Sequence, residues 1–115
     1  MSEDDLLCAV LDLAKTLGIR SAHFRPAQSQ TGRWLTAVQG DGKGYPDLTL
    51  VGKGGVLFRE LKSAKGAHYP EQKAWLAALT EAGADADSWR PADLHSGRIE
   101  AELRAVRKTR MRCPQ

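Results

Sequence analysis

What the chain lacks narrows the field first. No apolar run approaches the ~20 residues that a membrane-crossing helix needs, so no membrane association is expected. The opening stretch, "MSEDDLLCAVLDLAK", is acidic and then amphipathic. It has neither the basic start nor the small-residue cleavage site of a secretory signal. A cytoplasmic, intracellular protein is therefore expected. Cysteine is scarce: Cys8 and Cys113 stand near opposite ends, outside any CxxC or Cys/His spacing. That argues against a zinc centre, and a reducing compartment argues against a disulfide. Cys8 reads as a small core residue on a helix. The three histidines, His23, His68 and His95, are scattered and show no metal spacing. Aromatics make up only 6% of the chain and fall on different segments. That pattern excludes a base-stacking platform of the single-strand-binding type, and Trp34, Trp75 and Trp89 read as core or dimer contacts.

The chain has 115 residues, which fits one domain with its own core. A net charge of +3 hides an uneven distribution. "RAVRKTRMR", residues 104 to 112, carries Arg104, Arg107, Lys108, Arg110 and Arg112, and the remainder is slightly acidic. A local basic run suits a phosphate backbone, and it equally suits a solvated helix end. The division expected is a domain over residues 1 to 103 followed by a basic tail over residues 104 to 115.

Residues 3 to 17 carry Leu6, Val10, Leu13 and Leu17 at helical spacing, supported by Leu7 and Leu11. Ser2 can cap this helix, and Gly18 can stop it. A short strand is predicted over residues 20 to 25 and a polar loop over "AQSQTG". Residues 33 to 38 read as a strand or an extended segment, followed by the loop "QGDGKGYP". "DLTLV" and "VLFRELK" flank "GKGG" and predict a hairpin. A helix should begin at Pro70 and use Trp75, Leu76 and Leu79 as its apolar stripe. "ADADSW" predicts a weak strand, "RPADL" a turn, and "RIEAELRAVRK" a final helix. The strand–helix–strand unit implies a parallel crossover, hence an α/β fold with a central mixed β-sheet flanked by helices.

The hairpin carries the chemistry. "FRELKS" puts Glu60 and Lys62 on one face of a strand and Leu61 on the other. In an antiparallel pair the start of one strand lies beside the end of the next, so Asp47 should meet Glu60 and Lys62. Two neighbouring carboxylates repel unless a cation lies between them. An all-oxygen donor set suits Mg²⁺ or Mn²⁺, and Lys62 could act on a water or on a phosphoryl oxygen. The same residues also fit a plain ion pair, Glu60–Lys62 or Asp47–Lys62, on an exposed strand end.

The ordered stretches "QGDGKGYPDLTLV", "FRELKSAKG", "PEQKAWL" and "WRPADL" resemble the PD-(D/E)XK nuclease superfamily. More closely, they resemble its stand-alone VRR-NUC family of phages and bacteria. The resemblance runs from Glu3 to about Leu103. It implies a restriction-endonuclease-like core and Mg²⁺- or Mn²⁺-dependent hydrolysis of DNA phosphodiesters. It also implies catalytic positions at Asp47, Glu60 and Lys62, with the Leu61 backbone carbonyl as a further metal ligand. It adds Glu3 on the first helix as a ligand and Gln72 on the helix after the motif. Tyr69 departs from the family's usual Ser or Thr before "PEQ". Arg25, Arg33, Lys43 and Lys65 lie in or beside loops around this region. With Arg107, Lys108 and Arg110 of the tail, they are the expected DNA-binding residues.

The resemblance further implies a homodimer that acts on branched or four-way-junction DNA, like a Holliday-junction resolvase. A nickase or flap nuclease of the same chemistry, a catalytically silent DNA-binding module and a protein-interaction domain remain open at this point.

Overall fold

The computed structural model describes residues 1–24 and 42–108, together with the backbone of 27–28 and 34–35. Helix α1, Glu3–Thr16, opens on a capping box. The Ser2 hydroxyl accepts from the Asp5 amide, and the Asp5 carboxylate accepts from the Ser2 amide. It buries Leu6, Leu7, Val10 and Ala14, while Leu11 and Leu13 are partly buried. Cys8 is exposed, which corrects its reading as a core residue. Two positions after Leu6 it lies some 200° around the helix, away from the buried stripe.

Strand β1 spans Arg20–His23. Two short strands, β2 (Ala27–Gln28) and β3 (Trp34–Leu35), pair with each other apart from the main sheet. The loop predicted over "AQSQTG" therefore begins with a strand residue pair. The hairpin forms as predicted, with β4 over Leu48–Gly52 and β5 over Gly55–Leu61. Helix α2, Pro70–Glu81, leads to β6, Asp85–Trp89, which is parallel to β5. The sheet order is β1-β4-β5-β6 with one parallel pair, the mixed sheet that was expected.

Two further helices close the chain, α3 (Pro91–His95) and α4 (Arg98–Arg107). Where a turn was predicted at "RPADL", the chain forms α3. Pro91 takes the first helical position, and the Asp93 carboxylate accepts from the Arg90 amide at 2.7 Å. Helices α1, α3 and α4 pack together on the face that presents Leu48, Leu50, Leu57, Leu61 and Trp89. Helix α2 lies on the opposite face and packs against β6. None of its residues is fully buried, so Trp75, Leu76 and Leu79 form a half-buried stripe.

The glycines of the hairpin turn serve α4. Gly54 N–H donates to the Val106 carbonyl at 2.9 Å. A Cβ on Gly52 would stand 2.0 Å from that same oxygen. Val106 itself is buried in the core. The expected domain limit after Leu103 therefore falls inside α4, and Arg104 and Arg107 are helical residues. Lys108 leaves the helix at the hairpin-turn end of the sheet.

Candidate functional site

Strand β5 sends alternate residues to two chemically different faces. Leu57, Arg59 and Leu61 face α1 and α4, while Glu60 and Lys62 face α2. Arg59 is 1% exposed and is matched by acids around it. Its Nη2 reaches Asp85 at 2.8 Å and Glu102 at 2.7 Å, and its guanidinium lies over the Trp89 ring. Glu102 also accepts from Trp89 Nε1 and from Arg98 Nε. Burial of this arginine was not legible in "FRELKS".

The other face is the candidate active site. Leu48 pairs with Arg59 in the β4–β5 register, so Asp47 lies across from Glu60. Asp47 Oδ2 accepts from the Leu61 amide at 2.9 Å. Glu60 is 2% exposed and Lys62 7% exposed. The two are 4.0 Å apart, the outer limit of an ion pair. The exposed ion pair considered from the sequence is therefore not what forms: both groups are buried. Glu60 Oε1 accepts from Gln72 Nε2 at 2.8 Å, while Oε2 is buried without a hydrogen-bond partner among the described residues. Burial first, and then the neighbouring Asp47 carboxylate, push the Glu60 pKa up to about 8; Lys62 only partly opposes them.

Gln72 works in two directions. Its Oε1 accepts from the Tyr69 amide at 2.9 Å, which holds the start of α2. Its Nε2 holds Glu60. Beneath that helix start runs the "GKGYP" loop. Gly44 has φ +84°, and a Cβ there would stand 2.5 Å from the Glu71 carbonyl carbon. Tyr45 meets Phe24 and Trp75 edge to face, at 5.5 Å and 5.0 Å between ring centres. Three of the scattered aromatics thus converge beside the site and hold Asp47's loop against α2.

Residues outside the expected catalytic set also gather here. Ser88 is the cross-strand neighbour of Glu60 and bonds His68. Burial, followed by Lys62, Arg90 and Lys73, holds the His68 pKa below the ordinary imidazole range. Arg90 donates to the Ser63 carbonyl at 2.7 Å, which fixes the segment after Lys62. The signal for Ser88 and Arg90 was their place at the end of β6, parallel to β5, and only the register reveals it.

Other expected residues stand apart. Glu3 is exposed in the first turn of α1. Among the described residues no three His, Cys, Asp or Glu side chains come together to hold a metal, so Glu3 does not join Asp47 and Glu60. Lys43 is exposed and pairs with Glu71 at 3.3 Å. Lys65 is exposed on the turn after Lys62, and Arg107 and Lys108 are exposed at the end of α4. From Gly54 to Glu60 the strand covers roughly 20 Å, so the end of α4 and the carboxylates lie at opposite ends of β5. Arg25, Arg33 and Arg110 lie outside the described residues.

The donor chemistry fits a hard divalent cation. Two adjacent carboxylates, one with a buried unpartnered oxygen, meet at a strand end close to the Leu61 main chain. Such an ion keeps several waters, so few protein ligands suffice.

The fold defines the class as α/β, with a four-stranded mixed sheet between helices. No family model matches the sequence, and no curated protein does. Among solved structures, one described as a VRR_NUC domain protein aligns with a TM-score of 0.61 at 22% identity. The alignment covers 93% of this chain and 92% of that one. This chain has the fold of that VRR_NUC domain protein.

Proposed function

We propose that this protein is a metal-dependent endodeoxyribonuclease of the VRR-NUC type. It hydrolyses phosphodiester bonds in branched DNA, four-way junctions included, as a homodimer. The observation that carries the reading is the convergence of half-buried Asp47 with buried Glu60 and Lys62, Glu60 Oε2 having no hydrogen-bond partner among the described residues. The likeness in fold supports it.

Asp47, Glu60 and the Leu61 carbonyl would hold Mg²⁺ or Mn²⁺. When bound, the ion supplies an activated water and neutralises charge that develops on the phosphoryl oxygens. Gln72 fixes Glu60 through the acid's Oε1, so Oε2 would remain available to hold the ion. Asp47 is held by the Leu61 amide, so neither carboxylate must reorganise. Lys62 is not a ligand. Its ammonium orients the attacking water or stabilises the charge on the oxygens of the pentacoordinate phosphoryl transition state. Water attacks phosphorus and gives up a proton to solvent, the bond to the leaving oxygen breaks, and that oxygen takes a proton back from solvent. Exposed Lys65, Lys43, Arg107 and Lys108 supply phosphate contacts, together with Arg25, Arg33 and Arg110. A two-fold dimer presents two sites, as two symmetric cuts require.

Cleavage of labelled duplex, flap, splayed and four-way-junction DNAs in Mg²⁺, Mn²⁺ or EDTA tests the reading. Metal-dependent cutting with a preference for branched substrates is expected. Cutting in EDTA, or no cutting of any DNA with either ion, would remove it.

A further inference from the structure

Tyr69 departs from what a helix start requires. The N-cap position favours Ser, Thr, Asp or Asn, whose side chain accepts from an amide of the first turn. The Tyr69 side chain makes no cap hydrogen bond. The ring gains no burial in exchange: at 68% exposure it is the most exposed large hydrophobic side chain among the described residues. What it does have is the Lys62 ammonium, 5.2 Å from its ring centre. Because Lys62 is itself buried, the ring stands at the lip of the carboxylate site, with the ammonium against it and most of its surface open.

An open aromatic ring beside a phosphate-processing centre matches the flat face of a nucleobase. Bases in a continuous duplex are already stacked on one another, whereas an unpaired base has a free face. We propose that Tyr69 is a specificity-determining residue, stacking on an unpaired base next to the phosphate that meets Asp47, Glu60 and Lys62. The site then prefers DNA with an unpaired nucleotide at the cut over continuous duplex. The inference rests on the nuclease reading and goes beyond it in assigning the discrimination to one side chain. Stacking tolerates any base, so this preference is for structure and not for sequence.

The test is anisotropy binding of a single-stranded oligonucleotide and of a duplex of equal length, in EDTA so that nothing is cut. The variants are Tyr69→Phe and Tyr69→Ser. Tyr69→Ser should lose roughly 5- to 140-fold in single-strand affinity, with little change for duplex. Its Tm should rise, because Ser caps α2. Tyr69→Phe should keep the wild-type ratio. An equal single-strand-to-duplex ratio in wild type and Tyr69→Ser overturns the proposal. So does a fall in Tm accompanied by loss of a dimer, which would make the ring a subunit contact. A shifted ratio with no cleavage in Mg²⁺ or Mn²⁺ supports stacking while the nuclease reading falls. Cleavage with an unshifted ratio does the reverse, and wild type that binds neither DNA overturns the stacking and leaves the nuclease reading to the cleavage assay.

Discussion

Gln72 Nε2 lies 2.8 Å from Glu60 Oε1, and the same side chain accepts from the Tyr69 amide through Oε1. One amide group thus couples the start of α2 to the most buried acid of the site. Gln72→Ala should cost about 1 kcal/mol of stability and lower cleavage at saturating metal. Gln72→Glu keeps the acceptor for Tyr69 but sets a third carboxylate against Glu60. It should hold α2 and still lose activity, because Glu60 loses its donor. Chemical denaturation with cleavage assays separates the two effects. Full activity in Gln72→Glu would show that Glu60 needs no donor there.

Asp47 acts as both carboxylate and hydrogen-bond acceptor, so two substitutions divide its roles. Asp47→Asn retains an acceptor for the Leu61 amide and removes a negative charge beside Glu60. The metal-free protein should be as stable as wild type or more so, yet unable to bind Mn²⁺ or cut DNA. Asp47→Ala should fail in the same functions and also lose about 1 kcal/mol of stability through the orphaned amide. Calorimetric Mn²⁺ titration and thermal melts check both. Wild-type cleavage by Asp47→Asn would dismiss the site.

Glu60 gives the metal-free protein a pH signature. Its pKa rises from 4.5 unfolded to about 8 folded, so the native state binds more protons between those values. Stability from this group is fully present below pH 4.5 and is lost as pH climbs through 8. The loss should be on the order of a few kcal/mol. Glu60→Gln should flatten the profile, and Mg²⁺ or Mn²⁺ should stabilise wild type most at high pH, where the carboxylate is ionised. Melts from pH 5 to 9 in EDTA decide it. A metal-free stability that rises across that window contradicts the burial of Glu60.

On the other face of β5, Glu102 is the hub between Arg59, Trp89 Nε1 and Arg98. Glu102→Ala should destabilise the fold by about 3 kcal/mol, because it strips a buried guanidinium of its less exposed partner. Metal affinity should survive wherever the protein remains folded, since the network lies across the sheet from Asp47. Urea denaturation reads the first effect and Mn²⁺ titration at low temperature the second. A Glu102→Ala protein within 1 kcal/mol of wild type would mean that Asp85 alone satisfies Arg59.

The hairpin and the meeting of its charged ends were readable because β-rich apolar runs around a glycine turn leave one pairing. Helix α1 was readable from its leucine spacing, and the exposure of Cys8 was available from the same helical geometry. Helix α3 was missed although Pro91 and Asp93 carried its start signal, because five residues leave no periodicity to detect. Arg59 was not legible as buried, since its acids arrive from β6 and α4, 26 and 43 residues away. The half-buried state of α2 was not legible either: Trp75, Leu76 and Leu79 state a stripe without stating how deeply it packs. His68 follows Lys62 closely in the sequence, but Ser88, its partner, came to the site only through the parallel β5–β6 register.

The basic end of the chain has a position that sharpens its test. Gly54 N–H and the Val106 carbonyl tie the end of α4 to the hairpin turn, roughly 20 Å along β5 from Glu60. Truncation after Leu103 would delete Val106 and with it part of the core, so lost binding would report lost fold. Reversing charge at Arg107, Lys108 and Arg110 to glutamate leaves Val106 in place, because Arg107 and Lys108 are exposed. Each lost phosphate contact should flatten the log–log salt dependence of DNA binding by about 0.7 to 0.9. Phosphate contacts carry no shape or sequence information by themselves, so duplex, flap and junction should weaken by similar factors. The preference among them, assigned to Tyr69 and the dimer, should persist. Binding isotherms from low to moderate salt, with a melt to confirm folding, provide the measurement. An unchanged affinity and slope in the folded variant would make the segment a solvated helix end and place the DNA contacts around Lys43 and Lys65.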